Sequence, residues 1–228
     1  MDWLDTRRSR QHVRNEFRPL QSSLPLLQLL SFLFQAMNLR EIIAHYDING
    51  HEKDGGTDKD TFHSYIEMYE QFLSPLTDKP ATIAEVGIQY GGSMLLWQDY
   101  LPKANFIYLD NVDAIHPKIR EHLDLKRSKL IFEDAYTEDA AAKVKGLAPK
   151  GIDFIIDDGP HTLESQCKFL SLYLPLLAQG GMAVIEDVQS PDWFNSLKQH
   201  VPEEFAFEEI DLRGIKGRYD DLVFAVTK

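Results

Sequence analysis

The chain has 228 residues, 43% of them hydrophobic and 26% charged, which is enough for one substantial buried core. A formal net charge of −12 argues against a nucleic-acid partner, because binding phosphates needs a concentrated basic face. The single cysteine, Cys167, excludes an internal disulfide framework and predicts a reducing, cytoplasmic location.

Residues 1–80 predict a helical N-terminal extension that precedes a separate region, 81–228. Helical spacing runs from about Leu20 to His45, and its apolar stretch LPLLQLLSFLF is too short to span a membrane, so no membrane partner is expected. The apolar positions left over around Leu24–Ile43 predict an oligomer interface, with a homo-oligomer as the result, or a lid over a bound substrate. Structural packing is the alternative.

A polar loop, HYDINGHEKDGGTDKD (45–60), separates this helix from a second one. We expect the second helix to run from Thr61 to Leu73 and to be closed by Ser74-Pro75.

From Thr82 onward, apolar strand-like runs alternate with helical segments. Such alternation is typical of βαβ units with a parallel sheet. Predicted strands cover 82–88, 105–110, 129–135, 152–157 and 182–187; predicted helices cover about 92–101, 116–123, 138–146, 162–178 and 191–200. The runs 205–213 and 221–228 are joined without a helix, which predicts an antiparallel hairpin. The fold class is therefore α/β and Rossmann-like, with seven strands, mostly parallel, and an antiparallel last strand, the layout of class I methyltransferases.

A glycine-containing loop, EVGIQYGGS (85–93), follows the first of these strands. Gly87 and Gly91 allow a tight turn and let a ligand approach backbone N–H groups at a helix start. NAD, FAD and S-adenosylmethionine are all bound by such loops, and a turn that binds nothing is the plain alternative. Gln89 stands where a dinucleotide site needs glycine, so NAD is disfavoured.

Acids end the next two strands. Asp110 lies about 20 residues beyond the glycine loop, where a carboxylate can accept hydrogen bonds from ribose hydroxyls. Asp134 ends the third strand and is placed to meet an adenine amino group. Either acid could instead face solvent. The loop, Asp110 and the terminal hairpin together favour S-adenosylmethionine as the cofactor.

Two further strands end on paired acids, in IIDDGPH (155–161) and VIEDV (184–188). Ligands of open α/β sheets bind beyond the carboxyl ends of the strands, and these two strands are expected to be neighbours. Asp157 or Asp158 would then face Glu186 or Asp187. A bound divalent cation would relieve the repulsion, and oxygen ligands favour Mg²⁺, with Ca²⁺ or Mn²⁺ as alternatives. Otherwise the acids hold the methionine part of the cofactor or cap helices.

His161 follows the first acid pair, with Thr162 as an expected N-cap of the next helix. A helix N-terminus and a nearby cation favour the neutral imidazole, which can accept a proton, while the carboxylates act in the opposite direction. Beside this acid cluster we interpret His161 as catalytic rather than structural.

These motifs, together with the tail KGRYDDLVFAVTK, resemble the metal-dependent O-methyltransferases of macrolide sugars, of the mycinamicin type, and the related family named for cephalosporin hydroxylase. The stretch GTDKDTFHSYIEMYEQFLSPL (56–76) is similar to a segment that precedes the fold in these families. The resemblance covers about Gly55 to Lys228. Pro160 stands where serine is more common, so the acceptor need not be the family's sugar.

The resemblance implies a role for each matching residue. Asp158, Glu186 and Asp187 match the Mg²⁺ ligands, and His161 matches the general base, with Asp158 also at the catalytic centre. Asp157 is assigned to the strand end and the geometry of the cofactor. The implied cofactor-binding positions are Glu85, Gly87, Tyr90, Gly91, Ser93, Asp110 and Asp134, and, in the segment that covers the cofactor, Thr57, Lys59, His63 and Tyr65.

The function expected from these residues is transfer of a methyl group from S-adenosylmethionine to a hydroxyl of a small natural product, a sugar or polyketide-like acceptor. Antibiotic biosynthesis is the expected setting. Three alternatives stay open: a metal-independent methyltransferase acting on a phenol or a nitrogen, an NAD-dependent oxidoreductase, and a non-catalytic cofactor-binding protein.

Overall fold

The computed structural model describes residues 37–50 and 52–228. The predicted helix from Leu20 lies outside these residues as far as position 36, and so does most of the predicted interface or lid. Its last part forms α1, Leu39–Tyr46. Asn38 begins the helix with a capping box: its side chain accepts from the N–H of Glu41, whose carboxylate accepts from the N–H of Asn38.

The second helix, α2, spans Ile66–Leu73, so the predicted start at Thr61 was wrong. The N–H groups of residues 61–63 all donate to the carbonyl of Asp58, which makes a tight turn there instead. At the other end the chain continues as a 3₁₀ turn, Ser74–Leu76. Pro75 fits this turn because its missing N–H would have no partner in a first turn.

The seven strands form one sheet, in the order β3-β2-β1-β4-β5-β7-β6. β7 runs opposite to the other six strands, so the predicted fold class is confirmed. The strands are β1 Thr82–Val86, β2 Asn105–Asp110, β3 Ser128–Phe132, β4 Ile152–Asp157, β5 Leu177–Ile185, β6 Ala206–Asp211 and β7 Leu222–Thr227. The third strand ends earlier than predicted, and the fifth begins earlier.

The remaining helices connect these strands: α3 Gly92–Tyr100, α4 Pro117–His122, α5 Glu138–Leu147, α6 Leu163–Tyr173, α7 Phe194–Leu197 and α8 Arg213–Lys216. The hairpin between β6 and β7 was expected to contain no helix, whereas it contains the single turn α8. Gly217 ends that turn in the left-handed conformation. None of the helices among the described residues is long and apolar enough to cross a membrane.

One hydrophobic core lies on each face of the sheet. The first core includes α1 and α2 as well as α3, with Tyr69 and Trp97 fully buried and their ring centroids 4.8 Å apart. Tyr69 also meets Phe154 of β4 edge-on at 6.2 Å. Residues 37–80 therefore share a core with the sheet, and this packing carries the segment 57–65 to the carboxyl ends of the strands.

Candidate active site

The carboxyl ends of β1, β4 and β5 are joined by backbone hydrogen bonds. Asp158 N–H donates to Val86 O at 2.8 Å, and Glu186 N–H donates to Asp157 O at 3.0 Å. Gly87 follows β1 with φ +85°, and a Cβ on it would lie only 1.9 Å from Asp158 O. The glycine loop therefore passes against the backbone of the first acid pair at a distance that no side chain would permit.

An open cleft lies between the glycine loop and the ends of β2 and β3. Asp110 fixes the loop from below: its carboxylate accepts the N–H groups of Ile88 and Gln89 at 3.0 and 2.8 Å. The cleft is lined by Val86, Gly87, Gln89, Asp110, Asn111, Ala135, Tyr136, Asp158, Gly159 and Pro160.

A second cleft lies on the other side of the loop, between it and residues 56–58. A Cβ on Gly92, at the start of α3, would lie 2.0 Å from Gly56 O, so the two backbones are in direct contact. Thr57, Asp58, Tyr90 and Ser93 line this cleft. Asp158 lines both clefts and so stands where they meet.

Three carboxylates lie beyond β4 and β5: Asp158, Glu186 and Asp187, called here the acidic edge. The ammonium of Lys59 lies between two of them, with Nζ 2.6 Å from Asp158 Oδ2 and 2.6 Å from Glu186 Oε2. The hydroxyl of Tyr69 donates to the other oxygen of Glu186. Glu186 is thus held on both oxygens by side chains of the N-terminal segment.

Asp187 is held in a similar way by two residues that follow Lys59. Tyr65 donates its hydroxyl to Asp187 Oδ1 at 2.5 Å, and His63 Nδ1 lies 3.2 Å from the same oxygen. His63 Nδ1 is also 2.8 Å from Asp221 Oδ1, a fully buried carboxylate at the start of β7. These contacts leave Asp187 Oδ2 as the oxygen that faces His161.

His161 lies at the outer side of the acidic edge. Its Nε2 is 3.5 Å from Asp187 Oδ2 and 3.8 Å from Asp158 Oδ1. The imidazole is more than a quarter exposed, so it is open to a solvent-borne molecule. His161 has φ +51° and Asp187 φ +53°, and Gln89 of the glycine loop has φ +43°. Left-handed conformations at residues other than glycine are strained and are found preferentially at functional sites.

Burial dominates the electrostatics of the acidic edge. Burial, and then the charge of Asp158, raise the pKa of Glu186 well above its ordinary value, although Lys59 opposes the shift. The same two causes raise the pKa of Asp187. Burial alone would lower the pKa of Lys59, but Asp158 and Glu186 raise it well above its ordinary value, so its ammonium stays charged. The acidic edge therefore has too little positive charge for its carboxylates, which is the condition that a bound cation relieves.

One group of donors suits a divalent cation. Ligand atoms of Asp158, His161 and Asp187 lie within 4.8 Å of one another, on the side of the acidic edge away from Lys59. The two carboxylates fit Mg²⁺ or Mn²⁺, with the imidazole beside them. Glu186 fits less well than the sequence predicts, because Lys59 and Tyr69 take both its oxygens.

Comparison with known proteins identifies the region that carries these clefts. Residues 84–188, from within β1 to just beyond β5, match a family described as a methyltransferase domain. This match covers just under half of the chain.

Relatives of this chain include O-methyltransferases named for glycosylated natural products. An 8-demethyl-8-alpha-L-rhamnosyl tetracenomycin-C 2'-O-methyltransferase of Streptomyces olivaceus is 30% identical over 145 residues, which are 60% of this chain and 36% of that protein. A mycinamicin VI 2''-O-methyltransferase of Micromonospora griseorubida is 26% identical over 153 residues, 62% of this chain and 36% of that protein. This chain thus spans about a third of the length of these relatives.

Solved structures share the fold. The mycinamicin-pathway methyltransferase MycE, in complex with Mg and S-adenosylhomocysteine, superposes with a TM-score of 0.62 at 19% identity, over 85% of this chain and 55% of that one. The O-methyltransferase TomG of Streptomyces achromogenes gives a TM-score of 0.61 at 12% identity, over 89% of this chain and 96% of that one. At these identities the likeness concerns the fold.

The structure places most of the predicted site residues at the clefts or at the acidic edge. Gly87, Asp110, Tyr90 and Ser93 line the clefts, as does Thr57 of the N-terminal segment. Gly91, with φ +88°, is the N-cap of α3. Glu85 is buried below the clefts, where Ser93 donates to it at 2.9 Å. The metal and base candidates Asp158, Glu186, Asp187 and His161 gather at the acidic edge.

Other predicted cofactor residues lie elsewhere. Asp134 is exposed and accepts the N–H of Tyr136 at 2.9 Å, while Tyr136 itself lines the first cleft. Asp157 is buried and accepts a hydrogen bond from the hydroxyl of Tyr136 at 2.5 Å, and it lines neither cleft. Lys59, His63 and Tyr65 contact the acidic edge rather than either cleft.

Several residues of the site have no signal in the sequence. Tyr69 and Tyr136 sit in helical and loop patterns where an aromatic side chain predicts only packing, and Asp221 lies about 60 residues beyond the first acid pair. For Asp58 the sequence predicts no role of its own, and it stands out only by its position between Thr57 and Lys59. Their roles arise from chain segments brought together by the fold.

Proposed function

We propose that the protein is an S-adenosylmethionine-dependent O-methyltransferase that acts on a hydroxyl of a small natural product, a sugar or polyketide-like acceptor, with the help of a divalent cation. The observation that carries this proposal is Asp158, which lines both clefts beside the glycine loop and also belongs to the acidic edge with His161. A cofactor in the clefts and an acceptor at the acidic edge would therefore meet at one place.

The cofactor would lie across the two clefts. Asp110 and Asn111 at the end of β2 would face its ribose, and Ala135 with Tyr136 would contact its adenine. Thr57 and Asp58 would enclose the methionine end from the other side of the loop. This position follows the general rule that ligands of open α/β sheets lie beyond the carboxyl ends of the strands.

Asp158 and Asp187 would hold a Mg²⁺ ion beside His161, with Glu186 in support and Mn²⁺ or Ca²⁺ as alternatives. When bound, the cation would lower the pKa of an acceptor hydroxyl. His161 Nε2 would take the hydroxyl proton as the oxygen forms its bond to the methyl carbon and the carbon–sulfur bond breaks, which leaves S-adenosylhomocysteine. Asp187 Oδ2, 3.5 Å from Nε2, would stabilise the resulting imidazolium.

Orientation would supply most of the remaining rate, because the methyl group of a sulfonium is already activated. Backbone contacts hold the glycine loop, the acid pair after β4 and residues 56–58 together, so the cofactor and the acceptor would be fixed relative to one another. The natural-product relatives support an oxygen acceptor of this class, and antibiotic biosynthesis as its setting.

One observation favours metal-independent transfer, to a phenol or a nitrogen, as a second candidate. Lys59 already supplies a positive charge to Asp158 and Glu186, so part of the acidic edge is compensated without any metal. Treatment with EDTA separates the two candidates. Full methyl transfer from S-adenosylmethionine in metal-free buffer would remove the metal role, whereas loss of activity restored by Mg²⁺ would support it.

The base is tested with His161→Ala and Asp158→Asn, each assayed for methyl transfer and for binding of S-adenosylhomocysteine by calorimetry. We expect turnover to fall by about 10²–10⁴-fold, the usual contribution of general acid–base catalysis, while His161→Ala leaves cofactor affinity unchanged. A His161→Ala enzyme with turnover close to the wild type would contradict the assignment. His161→Ser is a suitable second variant, because it keeps a polar group.

A further inference from the structure

The ammonium of Lys59 is enclosed at the acidic edge. Its side chain is 1% exposed, and the side chain of Glu186, one of its two partners, is also 1% exposed. Lysine is rarely buried so completely unless its charge is paired. With both partner oxygens at 2.6 Å, the ammonium makes two charge-assisted hydrogen bonds in place of its hydration.

The position of the Lys59 ammonium is fixed by the backbone around residues 56–65 rather than by the flexible stem of the side chain. Thr57 N–H donates to Ile48 O at 2.7 Å, and Tyr65 N–H donates to Lys59 O at 3.1 Å. The backbone of Gly56, the residue before Thr57, is in direct contact with Gly92 at the start of α3. Lys59 thus enters the acidic edge from a segment fixed on both sides, 99 residues before Asp158 and 127 before Glu186.

Lys59 also divides the acidic edge into two sides. It takes Asp158 Oδ2 and Glu186 Oε2, while Asp158 Oδ1 and Asp187 Oδ2 face His161 on the other side. A cation beside His161 would therefore find two carboxylate oxygens in place, but the gap between Asp158 and Glu186 is already filled by a positive charge.

We infer that Lys59 is the internal counterion of the acidic edge, a positioning residue that holds Asp158 and Glu186 in place and restricts a divalent cation to the side of His161. The inference rests on the proposed function only in so far as the acidic edge binds a cation. The lysine acts through the carboxylates and does not itself line either cleft.

The first test is made in metal-free buffer and needs no activity. Lys59→Met keeps the apolar stem but leaves the buried Glu186 and the partly buried Asp158 without their partner, so its thermal midpoint should fall by about 10 °C or more. Adding Glu186→Gln to Lys59→Met removes one of the two unpaired charges and should recover at least half of that loss. A double variant no more stable than Lys59→Met would overturn the inference, because a lysine that only fills space has no reason to couple to Glu186.

The second test uses Mn²⁺ itself, with binding followed by electron paramagnetic resonance. Lys59→Met should bind Mn²⁺ at least tenfold more tightly than the wild type, because the freed oxygens of Asp158 and Glu186 then face a cation. With Glu186→Gln added, the affinity should return to within about threefold of the wild type. Unchanged affinity in Lys59→Met, or loss of binding in the double variant, would contradict the division of the acidic edge into two sides.

Lys168→Met is the matched control. Its ammonium lies 2.8 Å from Glu164, but both side chains are more than half exposed, so stability and Mn²⁺ binding should not change. Failure of the proposed function remains distinguishable: a wild-type protein that binds no Mn²⁺ would remove the metal role, while recovery by Glu186→Gln in metal-free buffer would still support Lys59 as the counterion. Should Lys59→Met not fold, a double variant that folds would support the counterion role, and one that also fails to fold would contradict it.

Discussion

Replacing Gly87 with alanine tests how closely the glycine loop and the acidic edge are packed. Gly87 has φ +85°, and an added Cβ would lie 1.9 Å from Asp158 O and 2.5 Å from Asp158 C. Both contacts are with backbone, so no side chain can rotate away. The loop or the end of β4 must therefore move, and the first cleft lies between them.

The expected loss has two parts. A side chain in the left-handed region costs roughly 1–2 kcal/mol. Overpacking in a well-packed region costs about 1–3 kcal/mol more. We therefore expect Gly87→Ala to lower the free energy of unfolding by about 2–5 kcal/mol, a large part of the 5–15 kcal/mol typical of a domain. Affinity for S-adenosylhomocysteine should fall at least tenfold, because the loop that contacts it is displaced.

Two other glycines separate these contributions. Gly180 has φ +76° but nothing within 4 Å of an added Cβ, so Gly180→Ala should show the conformational cost alone. Gly146, near the end of α5, has open space and no positive φ, so Gly146→Ala should stabilise the protein by about 0.5–1 kcal/mol. Neither change should alter cofactor affinity.

Equilibrium unfolding in urea and calorimetric titration with S-adenosylhomocysteine measure the series. If Gly87→Ala loses no more stability than Gly180→Ala and binds the cofactor normally, the loop and the backbone of Asp158 have room to separate. That result would refute the view that their close approach is part of the site.

Other predictions concern the surroundings of the clefts. Tyr136→Phe removes the hydrogen bond to the buried Asp157, so calorimetry should show about a tenfold weaker affinity for S-adenosylhomocysteine, and urea unfolding a loss of about 1–3 kcal/mol in stability. Burial raises the pKa of Glu85 to about 7, so the stability of the wild type should fall as the pH rises from about 4.5 to about 7, by on the order of 3 kcal/mol. Glu85→Gln should abolish that part of the pH dependence in urea unfolding, and an unchanged slope would contradict it. Ile42→Ala should cost about 2–5 kcal/mol because α1 is part of the core, whereas His45→Ala on its exposed face should change stability by less than about 0.5 kcal/mol.

The fold could be predicted because its signals are local and periodic. Continuous apolar runs such as Ile152–Asp157 indicate strands buried on both faces, and their alternation with helices fixes a parallel sheet. Errors occurred where tertiary contacts override local preference. The second helix begins at Ile66 rather than Thr61 because three N–H groups turn onto the carbonyl of Asp58, and no helix propensity reports such a turn.

The site was predictable in part for the same reason. Acids that end strands point to the carboxyl edge of a sheet, so Asp110, Asp158 and Asp187 could be located from sequence alone. The sequence could not predict which side chain forms a hydrogen bond or ion pair with each of these acids. From the sequence, Glu186 is predicted to be a metal ligand. In the structure, its two carboxylate oxygens instead accept hydrogen bonds from Lys59 and Tyr69, which lie more than 110 residues earlier in the chain.

The three left-handed residues at the site, Gln89, His161 and Asp187, have a consequence for how this protein can evolve or be engineered. Glycine at each position would relieve strain of the order of 1–3 kcal/mol, so a search for thermostable variants would select those changes early. Each would also delete a side chain that lines the first cleft or belongs to the acidic edge. A library screened only for thermal stability should therefore become enriched in stable but inactive variants. Screening for activity has to accompany every round of selection for stability.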